Sequence, residues 1–216
     1  MNYSLNEIES MCKRAARGAG MHWGMAEEAA KAVRLLSAYD LPGVSSLASL
    51  LEHNDGKSYE DLAPISVGDI WTAASGELCP LCTGAAICDS AATISDGRII
   101  KTGGIKFPLL LIPFVLSAAK MTKTTLLLSW PNVAIKINSE GIQIDGSSHD
   151  VCMEQVDAVE CARRADAPLT FVAPGFRRDV DTQAWGRLNI FAQRTYAPAT
   201  AASRLAGAGA GLTDTD

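Results

Sequence analysis

The chain has 216 residues, 48% of them apolar and 20% charged, with a formal net charge of −5. A chain of that length buries roughly 70% of its unfolded surface, so stability requires neither metal nor disulfide. The composition is that of an ordinary globular domain, and the negative charge, with no Lys/Arg stripe, argues against a nucleic-acid binder.

Ser4 followed by Glu7 is a capping box, and Leu5, Ile8, Met11, Cys12 and Ala15 recur at helical spacing, so residues 5–17 read as an amphipathic helix. Gly18 and Gly20 end it. Residues 25–39 are rich in strong helix formers, and a third helix is expected over 44–52, stopped by Asn54-Asp55-Gly56. Val67, Ile70 and Trp71 suggest another helix over 66–75, and the small residues of 84–92 suggest a closely packed one. Beyond Ser95-Asp96-Gly97 the period changes. Strands are expected at Ile99–Ile100 and Leu109–Ile112, then a short helix, 114–121, with Pro113 in its first turn. Residues 125–130, 132–138 and 141–145 read as an antiparallel meander, with Val133, Ile135 and Ile137 facing inward. A further strand is expected within 151–164 and another at 169–172. Asp181 is a good cap for a last helix, 182–194, whose apolar face carries Trp185, Leu188, Phe191 and Ala192. Residues 197–216 are dominated by Ala, Thr, Ser and Gly. Helices first, strands in the middle and a helix at the end define an α+β fold. One domain is expected over 1–216: a helical part to about 95, a β-rich part over 96–175, then the C-terminal helix and its Gly/Ala-rich tail.

The first residues carry no basic n-region or apolar h-region, and the longest apolar run, 107–119, is short and interrupted by Pro108 and Pro113. A cytoplasmic location away from membranes is therefore expected. Six cysteines in such a chain read as reduced thiols. The acidic excess lies in the first hundred residues, so an anion-binding surface is expected in the second half.

Three passages stand out. Cys79-Pro80-Leu81-Cys82, with Cys88 beyond it, offers two thiolates at zinc-knuckle spacing, but a second CxxC or CxxH is missing and His22, His53 and His149 are isolated. No metal and no cofactor are expected; buried thiols and a redox pair are the remaining readings. The turn holding Arg17, Gly18, Gly20, His22, Trp23 and Gly24 combines charge, a group that titrates near neutrality and a stacking face. Its plainer reading is a helix–helix turn with Met21 and Trp23 plugging the core. Arg194, Tyr196 and Arg204 flank the glycine-rich C-terminal run, which suits an anion-binding loop, a docked segment or a flexible tail.

The turn Arg17 to Gly24, with Arg194-Thr195-Tyr196-Ala197-Pro198 and the run Ser203 to Asp214, resembles a bacterial family of about this length that is known only as a domain of unknown function. Residues 24–51, with Asp40-Leu41-Pro42-Gly43-Val44-Ser45-Ser46, resemble the helical N-terminal part of the malate/L-lactate dehydrogenase family that lacks a Rossmann fold. In that family a catalytic histidine follows the serine aligned with Ser46; here Leu47 stands there. The expected function is a small metabolic enzyme or enzyme subunit acting on a small carboxylate or amino acid; the alternative is a non-catalytic accessory or ligand-binding protein. The expected site brings Arg17, His22 and Trp23 against Arg194, Tyr196 and Arg204, with His22 as proton carrier and the others binding a small anionic metabolite. A homodimer stays open; nucleic acid and membrane partners are not expected.

Overall fold

A computed structural model gives the structure of the protein and describes residues 1–66, 68–165 and 174–196. Strand β1 (Asn2–Ser4) leads into α1 (Leu5–Gly18) through the expected capping box: Ser4 Oγ accepts from the Glu7 amide at 3.3 Å, and the Glu7 carboxylate accepts from the Ser4 amide at 2.7 Å. Two free helix amides are thereby satisfied within one turn. Helices α2 (Trp23–Ala38) and α3 (Gly43–Asn54) follow. The buried face of α1 carries Leu5, Ile8, Met11, Cys12, Ala15 and Ala16, and α2 answers with Ala26, Ala29, Ala30, Val33 and Leu36. Alanines on both sides let the two backbones approach closely.

The chain continues through α4 (Tyr59–Leu62), β2 (Pro64–Ser66), β3 (Thr72–Ala73), α5 (Pro80–Asp89), α6 (Ala91–Ser95), β4 (Ile100–Thr102) and β5 (Ile105–Lys106). A 3₁₀ turn, Pro108–Leu111, runs directly into α7 (Ile112–Thr122). Then come β6 (Thr125–Trp130), β7 (Val133–Asn138), β8 (Gly141–Asp145), α8 (Ser148–Val151), β9 (Gln155–Val156), β10 (Val159–Arg164), β11 (Arg177–Asp179) and α9 (Thr182–Gln193). This is an α+β fold. Its main sheet has five antiparallel strands in the order β4-β10-β6-β7-β8. β1 pairs separately with β11, joining the two ends of the described chain.

Helix α7 is the hinge between the two halves of the core. Ile112 to Leu116, Ala118 and Ala119 are all buried, while Ser117, Lys120 and Met121 are exposed, so the helix is enclosed on most of its surface. It packs against α2 and α5 on the helical side and against β6 and β7 on the other. At α5 the fit leaves no room: a Cβ on Gly84 would lie 2.5 Å from Phe114 Cγ. On the far side α9 lies across α1 and α3.

The meander is as expected, with Val133, Ile135 and Ile137 buried. Three other expectations are corrected. Residues 66–75 form no helix where described. Instead β2 pairs with β3, and Trp71, 1% exposed, donates its amide to Lys101 O at 2.8 Å while Ile70 is 54% exposed. Pairing with β4 outweighs a weak local pattern. Leu109–Ile112 is a helical turn, not a strand, because a short apolar run has no period that separates the two and Pro108 suits a first helical turn. Residues 151–164 divide into the end of α8 and two strands, and the second, β10, inserts between β4 and β6. The strand expected at 169–172 and the tail beyond Tyr196 lie outside the described residues.

Asp181 caps α9 as expected, its Oδ2 accepting from the Ala184 amide at 2.8 Å. Asp181→Ala should lower stability by about 1 kcal/mol in urea unfolding. An unchanged midpoint would show that packing alone fixes the start of α9.

Candidate functional site

The turn between α1 and α2 is closed by its own backbone. Gly20, at φ +94°, donates its amide to Arg17 O at 3.0 Å, and Met21 donates to Ala16 O at 3.1 Å. These are the two bonds of a Schellman ending, which requires the left-handed conformation that glycine adopts freely. Met21 is buried and plugs the core, but Trp23 is 64% exposed, so only half of the plainer reading of the turn holds. The Arg17 guanidinium donates to the Met21 carbonyl and stacks 4.6 Å from the centre of the Trp23 ring. Lys13 Nζ lies 5.7 Å from the same ring and pairs with Glu27 at 2.5 Å.

His22 occupies the N-cap of α2 without a side-chain capping bond and stays exposed. Opposite it runs the segment from α3 to α4, turned at Gly56 (φ +76°) and capped by Ser58, whose hydroxyl accepts from the Glu60 amide at 3.3 Å. Between the two lies a cleft of about 350 Å³, with Ala19, Gly20 and His22 on one wall and Lys57, Ser58, Tyr59, Glu60 and Ala63 on the other. The volume falls within the ordinary range of small-molecule sites.

Charge behind this wall is tightly organised. Glu77 bonds His53 Nε2 and lies 4.0 Å from Lys57 Nζ and 3.8 Å from Lys106 Nζ; Lys57 Nζ in turn lies 3.0 Å from His53 Nε2. Deeper still, Asn54 is 2% exposed and its Nδ2 has no hydrogen-bond partner. The Tyr59 hydroxyl is likewise buried and unpartnered, and its pKa is raised, first by burial and then by Cys79 and Cys82 beside it.

The expected composite site is placed as follows. The turn and the end of α9 lie side by side, since a Cβ on Gly18 would sit 3.4 Å from Arg194 Cβ. Tyr196 Oη accepts from Arg14 Nη1 at 2.5 Å. Arg194 donates two parallel bonds to Asp55, at 2.7 and 2.9 Å, and holds that carboxylate below its usual range. Of the six expected residues only His22 lines the cleft; Arg17 and Arg194 are committed to partners, and Arg204 lies outside the described residues. Lys57, Tyr59 and Glu60 were not singled out by sequence, where Asn54-Asp55-Gly56 signals only a helix stop. Leu47, at the position of the dehydrogenase family's histidine, is fully buried in the core.

Among the described residues, no group of three or more His, Cys, Asp and Glu side chains is arranged to hold a metal ion, and no helix is long and apolar enough to cross a membrane.

An α+β architecture with a cleft between its first helices defines the class of protein. Residues 3–79 match a family described as "Protein of unknown function (DUF3726)", and this stretch contains both walls of the cleft. No curated protein sequence matches the chain. Among solved structures, malate dehydrogenase from Entamoeba histolytica is similar with a TM-score of 0.48 at 10% identity, over 68% of this chain and 49% of that one. The chain thus spans about half the length of that enzyme.

Proposed function

We propose that this chain binds a small zwitterionic carboxylate of the amino-acid class in the cleft between His22 and Tyr59. The observation that carries this reading is that Lys57 and Glu60, opposite charges three residues apart, line the same cleft as His22. Lys57, whose Nζ lies 3.0 Å from His53 and 4.0 Å from Glu77, has three donors and keeps one for a carboxylate; an ammonium group complements Glu60, and the Tyr59 ring with Ala19 and Ala63 receives a short apolar side chain. His22 is placed to add a hydrogen bond. Its ring has no orienting partner among the described residues, which favours binding over proton transfer, because a general base is normally held by a second group. Arg17 and Trp23, next to His22 in the same turn, form a stacked pair.

Thermal denaturation against free amino acids, and against their N-acetyl and carboxamide derivatives, tests this reading. A bound amino acid at roughly tenfold over its dissociation constant should raise the midpoint by about 4 °C. Each derivative, lacking one charge, should raise it less, and Lys57→Ala and Glu60→Ala should each abolish the difference. Equal shifts in the wild type and both variants would remove the proposal.

A further inference from the structure

Helix α5 begins with a pair of sulfurs. Pro80 fixes the first turn, which makes Cys79 the N-cap (φ −77°, ψ 124°) and Cys82 the third helical residue. Ser4 and Glu7 stand in the same positional relation at the start of α1, where N-cap oxygen and N3 amide are 3.3 Å apart. The two cysteines therefore share one face of the helix start. No side-chain bond caps α5, so the Cys79 sulfur stands before otherwise free amides. Its backbone is pinned on both sides, Cys79 N donating to Leu62 O and Thr83 N donating to Cys79 O, each at 2.9 Å. Cys79 is 1% exposed and Cys82 is partly exposed.

The surroundings point independently to a polar species at this place. Asn54 Nδ2 is buried with no partner of normal geometry, and the Cys79 sulfur is the acceptor it faces. The buried, unpartnered Tyr59 hydroxyl is near enough to the same two sulfurs to feel their charge. Burying an unsatisfied donor costs stability unless something accepts from it, and an anionic sulfur is such an acceptor where a thiol is a poor one.

We propose that Cys79 and Cys82 form a dithiol that is oxidised by hydroperoxide and closes to a disulfide at the start of α5. This inference is independent of the ligand proposed for the cleft. Cys79 alone among the six cysteines has a thiol held below the usual range, chiefly by the Cys82 side chain and, against the burial that raises it, by the nearby Cys82 and Leu81 backbone and the Asn54 side chain. Cys82 is raised, first by the Cys79 side chain and then by burial. Burial pushes Cys88 up to about 11 and Cys161 up to about 12, and raises Cys12 and Cys152 as well.

The chemistry then divides into two balanced steps. The Cys79 thiolate attacks one oxygen of hydrogen peroxide; the O–O bond breaks, leaving Cys79 sulfenic acid and hydroxide, which takes up a proton to become water. The Cys82 sulfur, losing its proton, attacks the Cys79 sulfur; the S–O bond breaks, the S–S bond forms and a second water leaves. Two thiols and one peroxide give one disulfide and two waters. The burial of Cys79 selects a water-sized oxidant over a bulky disulfide, and the partly exposed Cys82 beside it gives the approach.

The test uses the reduced full-length chain, limiting hydrogen peroxide, alkylation of remaining thiols and peptide mass spectrometry. Cys152 is exposed and serves as the internal comparison. The expected result is a Cys79–Cys82 link forming roughly tenfold faster than Cys152 is oxidised, since reactivity follows thiolate character. Cys82→Ser should leave a Cys79 sulfenic acid that dimedone captures, and Cys79→Ser should leave Cys82 no more reactive than Cys152. Oxidation of Cys152 ahead of the pair in the wild-type protein, or oxidation of Cys79 and Cys82 without a link between them, would overturn the proposal whether or not either variant folds.

Discussion

Ile135→Lys should lower the thermal midpoint by about 10 °C or more, from a loss of about 4 kcal/mol. Ile135 is fully buried in the middle of β7, opposite Leu128 of β6 and Ile144 of β8, on the sheet face that packs against α7. Lysine there loses the apolar burial and places an ammonium group where no described carboxylate reaches it. The alternating neighbour Lys136 is exposed on the other face, so Lys136→Ala should change stability by less than about 0.5 kcal/mol. Equal midpoints for the wild type and Ile135→Lys would mean that the strand presents its other face to the core.

The contrast between 135 and 136 is also why this part of the fold is legible in the sequence. A half-buried strand writes its burial as a period of two, and Val133-Ala134-Ile135-Lys136-Ile137 carries it plainly. The caps are legible for a similar reason: Ser4 with Glu7, and Asp181 ahead of Ala184, act through side chains only three residues away. What the sequence hides is set at long range. Trp71 is fixed by Lys101, and Leu109 to Ile112 are so deeply buried that no polar residue interrupts them to reveal a period.

The candidate site divides in the same way. The glycines at 18 and 20 identify the α1–α2 turn as one where backbone comes close to something, and that something includes the end of α9. The wall from Lys57 to Ala63 has no such signature, because its role depends only on where α3 delivers it. Arg17 and Arg194 read as free guanidinium groups from sequence, yet one is taken by Met21 O and the Trp23 ring and the other by Asp55. Counting arginines therefore overstates the charge open to an anion. Lys57 and Glu60, in the acidic half, are the pair that line the cleft.

Gly18→Ala should destabilise the protein by about 3 kcal/mol, although the substitution improves helix propensity. In an open helical position, replacing glycine by alanine gains up to about 1 kcal/mol. Gly186 of α9 is such a position, with nothing within 4 Å of an added Cβ, and Gly186→Ala should raise the midpoint slightly. At Gly18 the added carbon would meet the backbone carbonyl of Phe191, with the carbonyl carbon only 2.6 Å away. Backbone in the last turn of a packed helix cannot rotate aside as a side chain does, so the end of α9 would have to move away from α1, and overpacking of this kind costs about 1–3 kcal/mol or more. That movement would also loosen the Arg194–Asp55 fork and the Arg14–Tyr196 bond, which tie α9 to the loop behind the cleft and to α1. The two variants are best compared in parallel chemical denaturation. Opposite signs are expected; a Gly18→Ala midpoint at or above that of Gly186→Ala would show that α1 and α9 do not meet backbone to backbone, and that the turn is not anchored by the end of α9.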